Sequence, residues 1–163
     1  MMRLALESDL PRIVEIYNAS IADRMATADL SEATVESRRS WFREHGEKRP
    51  LWVCDVEGEV AAWISLSNFH PRCAYEITAE VGVYVDPKFR RRGLAQDLLK
   101  QAVLEAPTLG IENLVALIFG HNEPSLRLFK NHGFERWGHL PAVANMAGIR
   151  RDLEIYGRRL KSS

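Results

Sequence analysis

An arginine-rich segment that ends in a glycine has the composition of a phosphate-binding loop. Arg90, Arg91 and Arg92 precede Gly93, and an amphipathic segment that begins at Leu94 follows directly. The first turn of a helix has unpaired backbone N–H groups and the positive end of the helix dipole, so it attracts anions. Glycine allows a ligand to approach the backbone, and guanidinium groups donate to phosphate oxygens. The segment predicts a site for a phosphate-bearing ligand; a solvated turn is the alternative reading of the charge run.

Two well-known phosphate loops do not match this segment. The chain has neither the Gly-Lys-Ser/Thr of a Walker loop nor the Gly-x-Gly-x-x-Gly of a dinucleotide-binding fold. The pattern that is present is Arg90-x-x-Gly93-x-Ala95, preceded by the apolar run at residues 81–85. A strand that leads through a glycine-bearing loop into a helix is the arrangement that such a site requires.

Composition favours a globular protein and argues against nucleic-acid binding. The 163 residues, 46% of them hydrophobic, suit one domain, 1–163, with a sizeable core. Lysine plus arginine equals aspartate plus glutamate at 22 each, whereas nucleic-acid binders carry a basic excess. Cys54 and Cys73 form neither a metal motif nor a disulfide framework, and no apolar run is long enough for a signal segment or membrane span. We therefore expect a cytoplasmic protein with no metal and no nucleic-acid or membrane partner.

The elements that must position this loop follow the order β-α-α-β-β-β-α-β-α-β-β. Strands are predicted at residues 3–6, 51–56, 60–67, a stretch ending at 85, 114–119, 135–140 and 151–160. Helices are predicted from residues 8–11 onward, where a capping side chain precedes Pro11, and then at 34–46, from 94 to about 107, and at 124–132. The unbroken apolar run at 114–119 predicts a strand covered on both faces.

The motifs together resemble those of one enzyme family. Arg90-x-x-Gly93-x-Ala95 is similar to the acetyl-CoA pyrophosphate signature of the GNAT acetyltransferases, Gln/Arg-x-x-Gly-x-Gly/Ala. Further matching motifs, spread over about residues 4–160, are Ile16-Tyr17-Asn18, Arg38-Arg39-Ser40-Trp41-Phe42, Arg72-x-Ala74-Tyr75, Glu80-x-x-Val83-Tyr84-Val85, Asn122-x-x-Ser125 and Gly133-Phe134. They resemble the phosphinothricin and methionine sulfoximine N-acetyltransferase branch. The resemblance implies a single-domain α/β GNAT fold, with a mixed sheet of about seven strands and about four helices, and acetyl-CoA as co-substrate.

Acetyl transfer to an amine needs a group that accepts the amine proton, and Glu80 is the candidate general base. Strand alternation places Glu80, Gly82 and Tyr84 on one face and the intervening valines on the other. Glu80 matches the glutamate that the resembled branch uses as base; a charged residue at a sheet rim is the alternative. Because the chain has no Gly-x-Ser-x-Gly elbow, direct attack is favoured over an acyl-enzyme.

The resemblance also assigns residues to the coenzyme. Val83, Tyr84 and Val85 would offer backbone groups to the pantetheine arm, with one N–H polarising the thioester carbonyl. Asn122 and Ser125 would lie beside the coenzyme, although a plain helix N-cap is the alternative role for the asparagine. The pyrophosphate would bind the loop formed by Arg90, Arg91, Arg92, Gly93, Leu94, Ala95 and Gln96.

The leaving thiolate lacks the proton donor that the resemblance would imply. Phe129 stands where many GNAT enzymes have tyrosine and this branch tends to have histidine. A thiol has a pKa of about 8.5, so a thiolate can leave without protonation. His121 and His132 are nearby in sequence, but a histidine beside a helix end is more often a surface or capping residue.

The acceptor contacts implied by the resemblance are Thr27, Arg72, Tyr75 and Glu80. Arg72 would hold a substrate carboxylate through a bidentate pair; the alternative is a solvated loop arginine. The same resemblance implies a homodimer, which is the commonest assembly of soluble proteins.

Three functions stay open from the sequence. The leading one is acetylation of a small amino-acid-like amine of the methionine sulfoximine, methionine sulfone or phosphinothricin type. Met146 and Arg150 replace the lysine and tryptophan expected in phosphinothricin enzymes, with Asp152 retained, so phosphinothricin itself is expected to be a poor substrate. The alternatives are a GNAT enzyme acting on a peptide N-terminus or polyamine, and a coenzyme-A-binding sensor without turnover.

Overall fold

The computed structural model describes residues 1–161, and all of its named strands belong to one sheet. The strands are β1 (Met2–Leu4), β2 (Leu51–Val56), β3 (Glu59–Asn68), β4 (Thr78–Val85), β5 (Asn113–Phe119), β6 (Glu135–Met146) and β7 (Ile149–Arg159). Their order is β1-β2-β3-β4-β5-β7-β6, and β4 and β5 are parallel while the other described pairs are antiparallel. The α-helices are α1 (Leu10–Ile21), α2 (Val35–Arg43), α3 (Leu94–Glu105) and α4 (Glu123–Asn131). The predicted mixed sheet flanked by helices is confirmed.

Helices cover the sheet from both sides and form two apolar clusters. The larger cluster joins α3 and α4 to the sheet and includes Leu98, Leu99, Leu126, Phe129, Ile64, Val81, Leu114 and Ile118. The smaller cluster joins α1 and α2 to the opposite face and includes Ile13, Ile16, Tyr17, Trp41, Val53 and Trp63. Val83 and Val85 pack against the first cluster and Tyr84 against the second, so β4 alternates as its sequence predicts. Within residues 1–161, no helix has the length and apolar character needed to cross a membrane.

The last two strands are longer than predicted. β6 and β7 continue into a hairpin whose turn residues, Ala147 and Gly148, both have positive φ. The register of β6 shifts between Arg136 and Gly138 and again between Leu140 and Ala144. These irregularities break the alternation of apolar and polar residues, so the pattern underestimates the strand.

Two helix ends also differ from the predictions. α2 ends at Arg43, because Gly46 turns the chain and exchanges backbone hydrogen bonds with Arg49. α1 starts near its proline as expected, but Asp9 does not cap it. The Asp9 carboxylate instead accepts the Leu6 N–H at 2.7 Å and pairs with Arg3 at 2.8 Å.

The prediction that β5 is covered on both faces holds with one exception, Leu117, which remains 41% exposed. Val115 and Phe119 on the same face are buried, as are Leu114 and Ile118 on the other face. α1 and α2 pack on the face that Leu117 shares, over β2, β3 and Tyr84 of β4. An apolar run therefore reports what a strand could bury, whereas the position of the helices decides what is covered.

Candidate active site

β4 and β5 separate halfway along the sheet and leave a slot between them. Their pairing stops at Glu80 and Val115, yet β4 continues to Val85 and β5 to Phe119. β3 pairs with the outer edge of β4 along this part, and β7 does the same for β5. The two inner edges lack a ladder within the described chain. Their backbone groups are therefore available to a ligand in the slot.

The phosphate loop lies where β4 leads into α3. Gly93 is the N-cap of α3, with φ +78°, and no side chain caps the helix there within residues 1–161. Arg91 also has a positive φ, 66°. A Cβ added to Gly93 would meet nothing within 4 Å. The space beside this residue is therefore open to solvent or to a ligand. Leu94, Ala95 and Gln96 form the first turn of α3, as predicted. The uncapped turn has the features of an anion site.

The three arginines before Gly93 are exposed, and two have acidic neighbours. Arg90 donates to the Asp23 carboxylate at 3.3 Å. Arg92 lies over the Phe89 ring at 5.1 Å and its guanidinium is 3.9 Å from Glu57. Because both ion pairs are on the surface, each is weak enough to exchange for a phosphate.

Glu80 lies at the point where the slot begins. It faces the same side of the sheet as Tyr84, opposite Ser67 on β3. The half-buried carboxylate has no hydrogen-bond or ion-pair partner within residues 1–161, and burial raises its pKa. A carboxylate that is desolvated but unpaired is a better proton acceptor than a free glutamate.

The connection between α1 and α2, residues 22–34, is here called the α1–α2 loop; it is tied to both walls of the slot. Asp23 pairs with Arg90, which follows β4. On the other wall, His121 Nε2 lies 3.2 Å from the Arg24 carbonyl, and Asn122 donates to the Met25 carbonyl at 3.2 Å. The Asn18 side chain holds the far end of the loop by bonding both the N–H and the C=O of Ala33. The loop is thereby held across the slot.

Asn122 has the capping role that sequence analysis kept as an alternative. Its Oδ1 accepts the Ser125 N–H at 3.3 Å, and the residue is 7% exposed. Its amide also holds Met25, so both polar atoms of the side chain already have protein partners. A coenzyme contact from Asn122 or Ser125 stays a prediction.

Arg72 and Tyr75 lie in an exposed segment before β4. Tyr75 is 43% exposed, with its ring 4.6 Å from that of His70. The Arg72 backbone N–H donates to His70 Nδ1 at 3.2 Å, but its guanidinium has no hydrogen-bond partner in the described part of the chain. Their role in acceptor binding stays a prediction.

Phe129 has no protic group, and the two histidines near it in the sequence bond backbone carbonyls. Its ring is 3% exposed and packs edge-on against Phe134 at 4.9 Å. A ring nitrogen of His132 lies 2.8 Å from the Leu128 carbonyl at the end of α4, and His121 is bound to the Arg24 carbonyl. His132 therefore has the expected capping role, whereas His121 contacts the α1–α2 loop.

Polar side chains from α1, the α1–α2 loop and α2 meet beside Tyr84. Tyr17 donates to Asp29 and shares a hydrogen bond of 2.7 Å with Thr27, while Arg38 donates to Asp29 at 3.2 Å. We call Tyr17, Thr27, Asp29 and Arg38 the Arg38 cluster. Tyr17 and Arg38 belong to motifs that carried the family resemblance, but spacing alone cannot show that they meet. Thr27, a predicted acceptor residue, is held in this cluster.

Known proteins resemble this chain over nearly its whole length. A family model described as the acetyltransferase (GNAT) family matches residues 13–134. YwnH of Bacillus subtilis, provisionally named a phosphinothricin acetyltransferase, is 52% identical over 160 residues, covering 98% of each chain. An L-methionine sulfoximine/L-methionine sulfone acetyltransferase of Pseudomonas aeruginosa is 31% identical over 148 residues, covering 90% of this chain and 86% of its own.

A solved structure gives the same picture. The phosphinothricin acetyltransferase of Sinorhizobium meliloti, crystallised with acetyl-CoA, superposes with a TM-score of 0.92 at 28% identity, covering 98% of this chain and 88% of that one. The resemblance to this branch is thus confirmed by sequence and by structure. The chain belongs to the GNAT family of acetyltransferases.

Proposed function

We propose that this protein is an acetyl-CoA-dependent N-acetyltransferase that acetylates the primary amine of small amino-acid-like acceptors. The observation that carries the proposal is the unpaired Glu80 carboxylate at the start of a slot that ends on the uncapped N-terminus of α3. We further propose that residues 1–163 form one domain. A reducing, cytoplasmic setting is supported by the free thiols of Cys54 and Cys73.

The residues of the slot fit acetyl-CoA, which supplies a thioester whose carbonyl carbon the acceptor amine attacks. The first turn of α3 would hold phosphate through its N–H groups, with Arg90, Arg91 and Arg92 adding charge. The unpaired β4 edge at residues 83–85 would hold the pantetheine arm through backbone hydrogen bonds. One of those N–H groups would polarise the thioester carbonyl. Asn122 and Ser125 would border the coenzyme from the β5 side.

Glu80 would take the proton that the acceptor amine must lose. Burial raises the pKa of Glu80 and so brings it closer to neutral pH. A base is more effective when its pKa lies near the pH at which the enzyme works. The leaving sulfur can receive no proton from the buried Phe129, whose side chain has no protic group. The sulfur would therefore leave as a thiolate, which a thiol pKa of about 8.5 permits.

The acceptor would be an α-amino acid such as methionine sulfoximine or methionine sulfone. The names of the Pseudomonas aeruginosa and Sinorhizobium meliloti proteins support this class. Thr27, Arg72 and Tyr75 would contribute to its binding. Met146, which is 4% exposed, and Arg150, which is exposed, stand where phosphinothricin enzymes are expected to have a lysine and a tryptophan. We therefore propose that phosphinothricin is a poorer substrate than the methionine derivatives.

One assay tests this function against its alternatives. Release of free thiol from acetyl-CoA is measured with methionine sulfoximine, methionine sulfone, phosphinothricin, a polyamine and a short peptide. We expect turnover with the methionine derivatives, rising with pH as the amine loses its proton. A preference for the polyamine or peptide would overturn the acceptor class but not the chemistry. Binding of acetyl-CoA without turnover of any amine would indicate a sensor.

We also propose that the protein is a homodimer. An uncovered apolar face on β5 and β6 supports this assembly: Leu117, Trp137 and Leu140 are 41%, 48% and 40% exposed. Exposed aromatic and aliphatic side chains on one face are typical of a self-complementary interface. Sedimentation should give twice the chain mass for the wild type and for Leu104→Glu, whose leucine is 71% exposed on α3. Leu117→Glu should be monomeric, and a monomeric wild type at micromolar concentration would refute the assembly.

A further inference from the structure

Gly82 lies in the interior of β4, between Glu80 and Tyr84 on the same face of the sheet. Its backbone is extended strand without a positive φ, so its conformation does not require glycine. Glycine is disfavoured inside a strand, and where it occurs it often marks a place that a ligand or another backbone approaches closely. The missing side chain therefore leaves a gap on the sheet surface beside the proposed base.

The Tyr84 ring leans into this gap. A Cβ built on Gly82 would lie 3.6 Å from Tyr84 Cε2, the ring atom next to the carbon that carries the hydroxyl. Successive positions on one face of a strand are about 7 Å apart, so a ring that stood upright on Tyr84 would not come this close to Gly82. The hydroxyl is therefore turned along the strand toward Glu80.

Aromatic packing holds the Tyr84 ring in this orientation and leaves its hydroxyl unpaired. The ring stacks on Trp63 at 4.6 Å and meets the Tyr17 ring edge-on at 5.4 Å, and the Arg38 cluster in turn fixes Tyr17. The hydroxyl has no hydrogen-bond partner within residues 1–161, and it is not enclosed, because the residue is only partly buried. A phenol in such surroundings usually has a partner, so the free hydroxyl points to a ligand.

Glu80 and Tyr84 offer two hydrogen-bond acceptors on the same face of β4. The carboxylate accepts only, whereas a phenol oxygen accepts as well as donates. Burial raises the pKa of Tyr84, and the charge of Glu80 adds to this rise, so the phenol stays neutral. A neutral primary amine has two N–H groups and one lone pair. It can therefore donate to both oxygens and keep its lone pair free.

We propose that the Tyr84 hydroxyl binds the acceptor amine together with Glu80, and that this pair makes the protein specific for primary amines. The inference rests on the proposed function and deepens it. The amine lies over Gly82, where one N–H donates to Glu80 and the other to Tyr84 Oη. Its lone pair attacks the thioester carbonyl carbon: the C–N bond forms, the C–S bond breaks, Glu80 receives the amine proton and the sulfur leaves as a thiolate. Tyr84 gives up no proton and orients the nitrogen.

The experiment compares methionine sulfone with its N-methyl derivative, whose secondary amine keeps one N–H. kcat/KM is measured for both acceptors with the wild type and with Tyr84→Phe, which keeps the ring and loses only the hydroxyl. In Tyr84→Phe we expect kcat/KM for the primary amine to fall about 3- to 10-fold, as for one neutral hydrogen bond. The secondary amine donates its single N–H to Glu80 and should be almost unaffected. If it reacts too slowly, its inhibition constant against methionine sulfone gives the same comparison.

Two further variants test the space over the strand and the loss of a phenol as such. In Gly82→Ala the new methyl would meet Ser65 Oγ at 3.4 Å, an ordinary contact, so Tm should not fall. Displacing the amine from its place over Gly82 should lower kcat/KM for both acceptors at least ~10-fold. Tyr156→Phe, the matched control, removes a hydroxyl from the larger apolar cluster on the opposite face and should affect neither acceptor. The acetyl-CoA-induced rise in Tm is recorded for each variant, so that loss of folding is recognised.

The outcomes distinguish this inference from the proposed function. If Tyr84→Phe lowers kcat/KM for both acceptors by the same factor, or for neither, the hydroxyl does not bind the amine and the inference is overturned while the proposed function stands. Wild-type turnover in Gly82→Ala would likewise place the amine elsewhere. A wild type that acetylates neither methionine sulfone nor methionine sulfoximine would refute the acceptor class, and the role of Tyr84 with it.

Discussion

The loop proposed to bind phosphate and the surface proposed to bind the acceptor, here called the acceptor face, both adjoin β4, yet they are built in different ways. The phosphate loop is one contiguous segment, residues 90–96, and its main resource is the backbone of an uncapped helix. The acceptor face combines Glu80 and Tyr84 with the Arg38 cluster, whose members come from α1, the α1–α2 loop and α2. The first site needs one backbone conformation at Gly93, whereas the second needs several side chains to meet.

This difference indicates how each site responds to substitution. A backbone site tolerates most side-chain changes but not a change in the residue that allows its conformation. A side-chain site keeps its backbone after substitution and loses one chemical group at a time. Variants on either side should therefore separate coenzyme binding from acceptor chemistry.

The largest effect is expected from Glu80→Gln on the acceptor side. kcat should fall on the order of 100-fold or more, as for a lost general base. Acetyl-CoA affinity, measured by calorimetry, should be unchanged, because the phosphate loop is untouched. A variant with wild-type turnover on a good acceptor would show that Glu80 is only a rim residue.

The pH profile sharpens the same prediction. Burial raises the folded-state pKa of Glu80, and the base works only when ionised. The acidic limb of the pH profile of kcat/KM should therefore have its midpoint above the pKa of an ordinary glutamate. Activity should be lost as pH falls through the raised pKa of Glu80. In Glu80→Gln this component of the limb should disappear, leaving only the ionisation of the acceptor amine.

Gly93→Val should impair acetyl-CoA binding at the proposed phosphate loop and leave the acceptor face intact. A valine at φ +78° is strained, and its side chain would occupy the open space where a phosphate is expected. We expect acetyl-CoA affinity to fall at least ~10-fold with the loss of the helix-terminal contacts, and the coenzyme-induced rise in Tm to vanish.

Gly110→Val is the matched control. Gly110 has φ +79°, and a Cβ there would also meet nothing within 4 Å. Both variants should lose a similar ~1–2 kcal/mol of unfolding free energy from the left-handed backbone. Only Gly93→Val should lose the coenzyme-induced shift; an unchanged shift in that variant would contradict the placement of the phosphate site.

Asn122 tests the connection between the two regions, because it caps α4 and holds the α1–α2 loop. Asn122→Ala should lose about 1 kcal/mol of stability with the cap. Asn122→Asp keeps an oxygen for the Ser125 N–H but cannot donate to the Met25 carbonyl. Its Tm should also fall, because a buried carboxylate oxygen then faces the Met25 carbonyl, and KM for the acceptor should rise about 2- to 10-fold as for one lost hydrogen bond. An unchanged KM would mean that the loop does not need this tether.

The smallest effect is expected at Asp23, which competes with phosphate for Arg90. The pair spans 3.3 Å between two half-exposed side chains, so its contribution is at most ~1 kcal/mol. Asp23→Asn should strengthen acetyl-CoA binding by up to about 5-fold at low salt, and the gain should fade as salt screens the charges. Glu36→Gln, which changes the net charge equally on α2, should have no effect; a weaker affinity in Asp23→Asn would indicate that the pair positions Arg90 for phosphate.

The contrast between the regions also explains what the sequence could predict. The geometry of residues 85–96 was predictable because the strand, the glycine and the helix are consecutive in the sequence, and the proposed phosphate site depends on that backbone geometry. The Arg38 cluster was not, since it forms only when α1 and α2 pack together and the α1–α2 loop folds over them. Tyr17 and Arg38 were visible within motifs, but no periodicity places one against the other.

The fold shows the same division. Strand and helix identities followed from local patterns. The strands predicted at 51–56 and 60–67 are joined by a turn at Glu57 and Gly58, both of which have positive φ. The extent of β6 was missed because its bulges interrupt the pattern, and the exposure of Leu117 was missed because coverage depends on distant helices. Local chemistry specifies elements, whereas their mutual placement requires the tertiary structure.

The short pairing between β4 and β5 has a mechanical consequence. Strands β1–β4 form one half of the sheet and β5–β7 the other. Among the described residues, β4 and β5 pair from Thr78 to Glu80 and from Asn113 to Val115, and the Ile77 carbonyl just before β4 accepts the Glu112 and Asn113 N–H groups. Each half can rotate slightly about this narrow seam without breaking hydrogen bonds within itself. The side chains of α3 and α4, which contact both halves on one face, resist that rotation by packing. A ligand that bonded both inner edges of the slot would join the two halves of the sheet along the stretch where β4 and β5 are unpaired.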